Sequence, residues 1–170
     1  MSQMDPKTII ELLDLKPLPQ EGGLYVETYR SEESIPADRL PGRYTTERSF
    51  GTAIYYLMQP GMFSHLHRLL TDEVFHFYLG DLATMLQLHP DGTWEEVIMG
   101  PDLLGGQLPQ VVVPRGVWQG TRLVDGGRWA LIGTTMGPGF AWEDYEHGER
   151  GSLTKAYPKA AELIQRLTNE

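Results

Sequence analysis

The chain has no cysteine among its 170 residues. Disulfides, thiol nucleophiles and thiolate ligands are therefore excluded, and any bound metal has to be held by nitrogen and oxygen donors. Basic residues are scarce: 14 Lys and Arg stand against 23 Asp and Glu, a formal net charge of −9. Proteins that grip a nucleic acid backbone concentrate Lys and Arg, so this balance argues against such a partner. It offers no attraction to anionic lipid either, and no apolar run approaches the ~20 residues of a membrane span. The opening segment Met1-Ser-Gln-Met-Asp-Pro-Lys7 lacks an apolar signal region, which makes the cytoplasm the expected location. Also missing are a Gly-x-Ser-x-Gly elbow, a phosphate-binding loop and a dinucleotide fingerprint. The Gly-Gly pairs at 22–23 and 105–106 read as turns instead.

What is present suits an all-β protein. The length predicts one domain, residues 1–170, that buries on the order of 70% of its unfolded surface. Hydrophobic residues make up 41% and charged residues 22%, ordinary values for a globular chain, while 19 Gly and 12 Pro are spread along it. Asp5-Pro6 predicts a helix start, with Ile9, Ile10, Leu12 and Leu13 as its apolar stripe over about 6–14. A second short helix is predicted over about 158–168, with Leu163, Ile164 and Leu167 on one face. Between them about nine strand-like runs follow at short intervals: 24–30, 49–58, 62–67, 74–78, 83–88, 94–99, 110–113, 117–122 and 129–136. Turn signals such as Gln59-Pro-Gly61, Pro90-Asp-Gly92 and Asp125-Gly-Gly127 separate them, leaving no room for crossover helices. A sandwich or barrel over about 24–142 is expected. Glu32 to Thr46 reads as a polar surface excursion.

The segment Gly61-Met-Phe-Ser-His65-Leu-His67-Arg-Leu-Leu-Thr-Asp-Glu73, closed by Gly80, carries the strongest chemical signal. Strand alternation puts His65 and His67 on one face, and Glu73 begins the next apolar run. Two imidazoles and a carboxylate converging on one point could hold a divalent metal with open positions for substrate. The plain alternative is two hydrogen-bonded or solvated histidines and a solvated Asp72-Glu73 turn. His76 lies opposite Glu73 by strict alternation, so only a bulge would bring it to the same site. The aromatic residues are core by default, although Trp118 beside Gln119 and Phe75 near Glu73 would suit a pocket wall. His89 and His147 read as surface residues.

These residues resemble a family. Gly61, His65, His67, Glu73 and Gly80 are similar to the first motif of the cupins, a double-sheet β-barrel superfamily, and Pro114-Arg-Gly-Val-Trp-Gln119 is similar to the second. More narrowly, Glu21-Gly-Gly23, Tyr29-Arg-Ser31, His67-Arg68, Phe75-His-Phe-Tyr78 with Gly80-Asp81, Trp118-Gln119 and Pro138-Gly-Phe140 resemble the cupin_5 group, also called DUF985, from about Ile9 to Tyr157. The resemblance implies a cupin double-stranded β-helix (jelly-roll barrel) with short terminal helices. In metal-binding cupins a histidine usually ends the second motif; here Gln119 stands there, and the His67 to Glu73 spacing is one or two residues longer than usual.

The expected function is binding of a small polar molecule, such as a sugar or sugar derivative, in the barrel. His65, His67, Glu73 and Gln119 are the candidate ligands for one divalent ion (Fe, Mn, Ni or Zn), and a site without metal is the alternative. His67 and Glu73 are the candidate catalytic pair. Gln119, Trp118, Phe75, His76 and Tyr78 are the candidate ligand-binding residues. A metal would support isomerase or oxygenase chemistry; without one, His67 becomes a general base, as in cupin epimerases that pair a His with a Tyr acid, a role open to Tyr78 or Tyr56. A non-catalytic binding protein or a structural cupin with a degenerate site is the alternative of a different class. The resemblance implies a homodimer, since cupins commonly pair through strands near their termini, and a long apolar strand such as Phe50 to Met58 that would need covering at an edge fits that expectation.

Overall fold

The computed structural model describes residues 5–169. Helix α1 spans Pro6–Leu13; Asp5 caps it by accepting from the Thr8 N–H, and Asp14 ends it in the left-handed region. Thirteen strands follow: β1 (Lys16–Pro17), β2 (Leu24–Arg30), β3 (Ser34–Ile35), β4 (Arg48–Ser49), β5 (Thr52–Met58), β6 (Phe63–Arg68), β7 (Glu73–Gly80), β8 (Ala83–Leu88), β9 (Trp94–Met99), β10 (Gln110–Val113), β11 (Trp118–Leu123), β12 (Ala130–Met136) and β13 (Glu146–His147). Helices α2 (Arg150–Ala156) and α3 (Ala161–Arg166) close the chain, with a 3₁₀ turn over Pro158–Ala160 between them.

The strands form two antiparallel sheets and a small hairpin. One sheet runs β1-β2-β5-β12-β7-β10, the other β13-β6-β11-β8-β9, and β3 pairs with β4. Alternation turns one face of each sheet inward, where Tyr56, Phe75, Met85, Met99, Val111 and Ile132 form the shared core. The outer face of the first sheet is covered by α1 through Ile9, packed with Leu57, Trp129 and Leu131. That of the second is covered by α2 and α3 through Leu153, Tyr157 and Ile164 against Leu66, Leu86 and Leu88. Among the described residues, no helix is long and apolar enough to cross a membrane.

Two features depart from the sequence-based expectation. Helix α2 occupies a stretch with little apolar periodicity; Glu149 caps it by accepting from the Gly151 and Ser152 N–H groups. The run Phe50–Met58 is not an edge: β5 lies between β2 and β12, so its backbone is paired on both sides, while Phe50, just before it, is half-exposed. That strand therefore offers no free edge of its own.

Candidate functional site

Register places the site. Along the first sheet, cross-strand rows Thr52–Met136–Glu73 and Ile54–Thr134–Phe75 point inward at the end where β7 begins and β12 ends. These six residues line a cavity of about 410 Å³ together with Glu21, Glu27, Arg30, Tyr56, His67 and Trp142, among others. A cavity of this size fits a small organic molecule. On the second sheet, His67 pairs with Gln119 across β6 and β11.

His67, Gln119 and Glu73 form one hydrogen-bonded row bridging the two sheets. His67 Nδ1 donates to the His65 carbonyl at 2.7 Å. Gln119 Nε2 donates to His67 Nε2 at 2.8 Å and to Glu73 Oε2 at 3.3 Å. In this orientation of the Gln119 amide, His67 Nδ1 is a donor and Nε2 an acceptor. Gln119 Oε1 is buried without a partner among the described residues. Burial, reinforced by the negative charge of Glu21, pushes the Glu73 carboxyl up to about 8, against weaker opposing hydrogen bonds from Thr134 and Gln119. Near pH 7 this carboxyl is therefore mainly protonated.

Glu21 is the site residue that motif reasoning missed. Its Oε2 lies 4.0 Å from His67 Nε2, and its Oε1 accepts from the Ser64 hydroxyl at 2.7 Å. The Gly22-Gly23 turn makes this placement possible. Both glycines have positive φ; a Cβ on Gly22 would lie 2.5 Å from the Phe63 carbonyl, and one on Gly23 would lie 2.3 Å from the Tyr56 hydroxyl. That hydroxyl donates to the Gly22 carbonyl at 2.8 Å. Burial raises the Tyr56 hydroxyl well above its ordinary value, and the Glu21 charge adds to the shift. Tyr145, also missed, stacks on His67 at 4.9 Å between ring centres. Its hydroxyl is raised by burial and then by Glu21. The Glu21-Gly22-Gly23 motif was visible in the sequence, but its approach to His67 depends on long-range packing.

The structure does not bring His65 to this row. Gln119 pairs with His67 and Thr121 with Ser64, so two residues of β6, His65 and Leu66, stand against the single residue Gly120. This β-bulge breaks the alternation that would put both histidines on one face. Both His65 nitrogens are engaged with backbone: Nδ1 donates to Leu66 O at 3.0 Å, and Nε2 accepts from the Asn169 N–H at 3.1 Å. Its ring stacks on His147 at 3.7 Å, and burial lowers its proton affinity. Phe75 lines the cavity as expected. Trp118 does not, because it faces away from Gln119 and lies under the Arg68 guanidinium at 4.5 Å. His76 and Tyr78 point to the other face of β7 from Glu73 and Phe75. His76 bonds Thr135 Oγ1 at 3.1 Å, and Tyr78 packs edge-on against Tyr55.

Comparison with known proteins agrees with this architecture. The sequence pattern of the Cupin superfamily (DUF985), Cupin_5, matches residues 7–148. The chain belongs to that family. This cupin is 29% identical over 135 residues to an uncharacterized protein of Saccharomyces cerevisiae, covering 74% of this chain and 67% of that one. It superimposes on a protein of Shewanella oneidensis with a TM-score of 0.86 at 30% identity, over 98% of this chain and 99% of the other. A hypothetical protein from Leishmania major matches with the same TM-score at 27% identity, over 98% and 100%. Oxalate decarboxylase from Bacillus subtilis shares the fold at 14% identity and a TM-score of 0.52, over 91% of this cupin and 37% of that enzyme, which has Mn(II) centers.

A metal of that kind does not fit the residues present. His65 is turned out of the row, and Gln119 directs an N–H at His67 Nε2, the nitrogen a metal would need. Among the described residues no group of three or more His, Cys, Asp or Glu is placed to share an ion. The site as built is instead an imidazole and a buried carboxyl of raised proton affinity, bridged by one amide.

Proposed function

We propose that this cupin binds a small polar molecule of sugar size in its barrel and moves a proton on it through its own side chains, as an isomerase or epimerase. The observation that carries this reading is the His67–Gln119–Glu73 row, in which one amide bridges an imidazole nitrogen and a buried carboxyl of raised proton affinity. Such a pair supplies the two groups that an acid–base step needs. In the step proposed, His67 Nε2 takes a proton from the carbon next to a carbonyl while Glu73 gives its proton to the carbonyl oxygen, leaving an enol. If the substrate carries a hydroxyl on that carbon, the His67 proton returns to the former carbonyl carbon while this hydroxyl gives its proton to the Glu73 carboxylate, and the isomer results. Return to the opposite face of the same carbon, with the enol hydroxyl giving its proton back to Glu73, gives the epimer. Entry of substrate has to displace the Gln119 N–H from Nε2, after which the amide still holds Glu73.

Incubation with aldoses and ketoses in deuterated water tests this reading. Deuterium should appear beside the carbonyl, persist in EDTA, and fall by at least about 100-fold in His67→Ala, the scale of a general base. Exchange that requires added metal, or that survives in His67→Ala, would contradict it. A second reading, ligand binding without turnover, is favoured by the Gln119 N–H on the His67 lone pair. Saturable sugar binding with no exchange would select it.

A further inference from the structure

Outside the barrel cavity, three arginines meet one short segment, residues 68–72: Arg43 through its guanidinium, Arg115 through its backbone N–H, and Arg68 as part of it. The Leu70 carbonyl accepts from Arg43 Nε at 3.0 Å and from the Tyr44 hydroxyl at 3.2 Å. The Leu69 carbonyl accepts from the Gly116 N–H at 2.9 Å, and the Asp72 carboxylate accepts from the Arg115 N–H at 2.8 Å. Arg43, Arg68 and Arg115 thereby line a single cleft of about 320 Å³ floored by Leu69 and Leu70.

The carboxylates of this cleft are already committed. Asp144 is bound by Arg48, and Glu146 takes two bonds from Arg68 at 2.7 and 2.9 Å. Arg43 and Arg115 have no ion pair among the described residues. Arg43 lies over the Tyr44 ring at 4.7 Å and Arg68 over Trp118 at 4.5 Å, so two of the three planar groups are held in place. Among the described residues, Nη1 of Arg43, Nη1 of Arg68 and the whole guanidinium of Arg115 make no hydrogen bond, which leaves donors for a tetrahedral or planar oxyanion.

We propose that this cleft is an oxyanion site, taking a phosphate, sulfate or carboxylate group on Arg43, Arg68 and Arg115. Leu69 also lines the barrel cavity, so the group is either a free ion or the charged end of a molecule seated in the barrel.

Titration of the full chain with inorganic phosphate, followed by calorimetry, tests the site. Binding should saturate, weaken as sodium chloride is raised, and fall about tenfold in Arg115→Gln. Arg115 is exposed, and its contact with Asp72 runs through the backbone, so that variant keeps its fold and an unchanged unfolding midpoint. Arg43→Gln combined with Arg115→Gln should abolish binding. Absence of saturable binding, or equal binding by Arg115→Gln, would overturn the proposal. A hexose phosphate identifies the source. Tighter binding than phosphate, weakened by His67→Ala, marks the tail of a barrel ligand; equal binding indifferent to His67→Ala marks a free ion, and either result supports the site.

Discussion

Glu73 begins β7, where the chain enters the barrel, and its carboxyl has no cation beside it to offset the loss of water. Its proton is part of the folded state. The unfolded side chain ionises near 4.5 and the folded one near 8, so between these values folding takes up a proton. The stabilisation is fully present below pH 4.5 and is lost as pH rises through about 8. Glu73→Gln, a neutral amide of the same shape, should therefore flatten the fall in stability between pH 5 and 8, as read by urea unfolding at several pH values. An unchanged slope would mean that Glu73 is ionised in the native state. At this scale the sequence was informative for inward residues of regular strands. His67, Glu73, Phe75 and Gln119 meet because alternation and register bring them together. The same alternation sends Trp118 away from Gln119 and His76 away from Glu73, so neighbours in sequence are opposed in space. His65 was not legible, because a bulge leaves no mark beyond the glycine opposite it. A Cβ on Gly120 would lie 3.0 Å from the Ser64 carbonyl, close enough to explain that glycine only once the pairing is known.

Between β12 and α2 the chain crosses the mouth of the barrel as a strap that carries Phe140, Trp142, Tyr145 and β13. Its anchor is an ion pair 96 residues apart in sequence. Arg48 of β4 bonds Asp144 through Nε at 2.8 Å and Nη2 at 2.5 Å, with both side chains about 1% exposed. Phe140 and Trp142 meet edge-on at 5.1 Å, Trp142 and Tyr145 at 5.5 Å, and Tyr145 closes over His67. Removing one partner of a buried pair strands the other charge, at a cost of about 3–5 kcal/mol. Arg48→Ala should therefore lose that much stability in urea unfolding and weaken ligand binding through a loosened Tyr145. A loss below about 1 kcal/mol would show that the strap is held by its aromatic contacts instead. No local pattern announces this tie. Residues 32–46 and 143–150 are polar and turn-rich, and they read as solvated surface. Their role comes from the ends of that stretch folding back, with Tyr44 buried against Thr71 at 2.7 Å.

For the whole molecule, the architecture was legible because it rests on short-range signals repeated many times. Period-2 runs bounded by Gly, Pro and Asp reproduce strands β2, β8, β9 and β10 to the residue, and the others within three residues. The short strands β1, β3, β4 and β13 carry too few residues for any period, and they exist only by pairing. Placement of Glu21 and the strap is tertiary in the same sense. Among the described residues the raised carboxyl of Glu73 stands apart, since the other clearly shifted ones, Asp5, Asp81, Asp91 and Glu149, are all lowered by hydrogen bonds at the surface. The most direct test of the acid–base account is a carbon-detected NMR titration of the side-chain carboxyls in the intact chain, with Glu73→Gln assigning the Glu73 resonance. Among 23 acidic residues, the Glu73 signal should titrate near 8. A Glu73 carboxyl that titrates near 4.5, the value of a solvated glutamate, would leave the barrel without its acid and contradict the account.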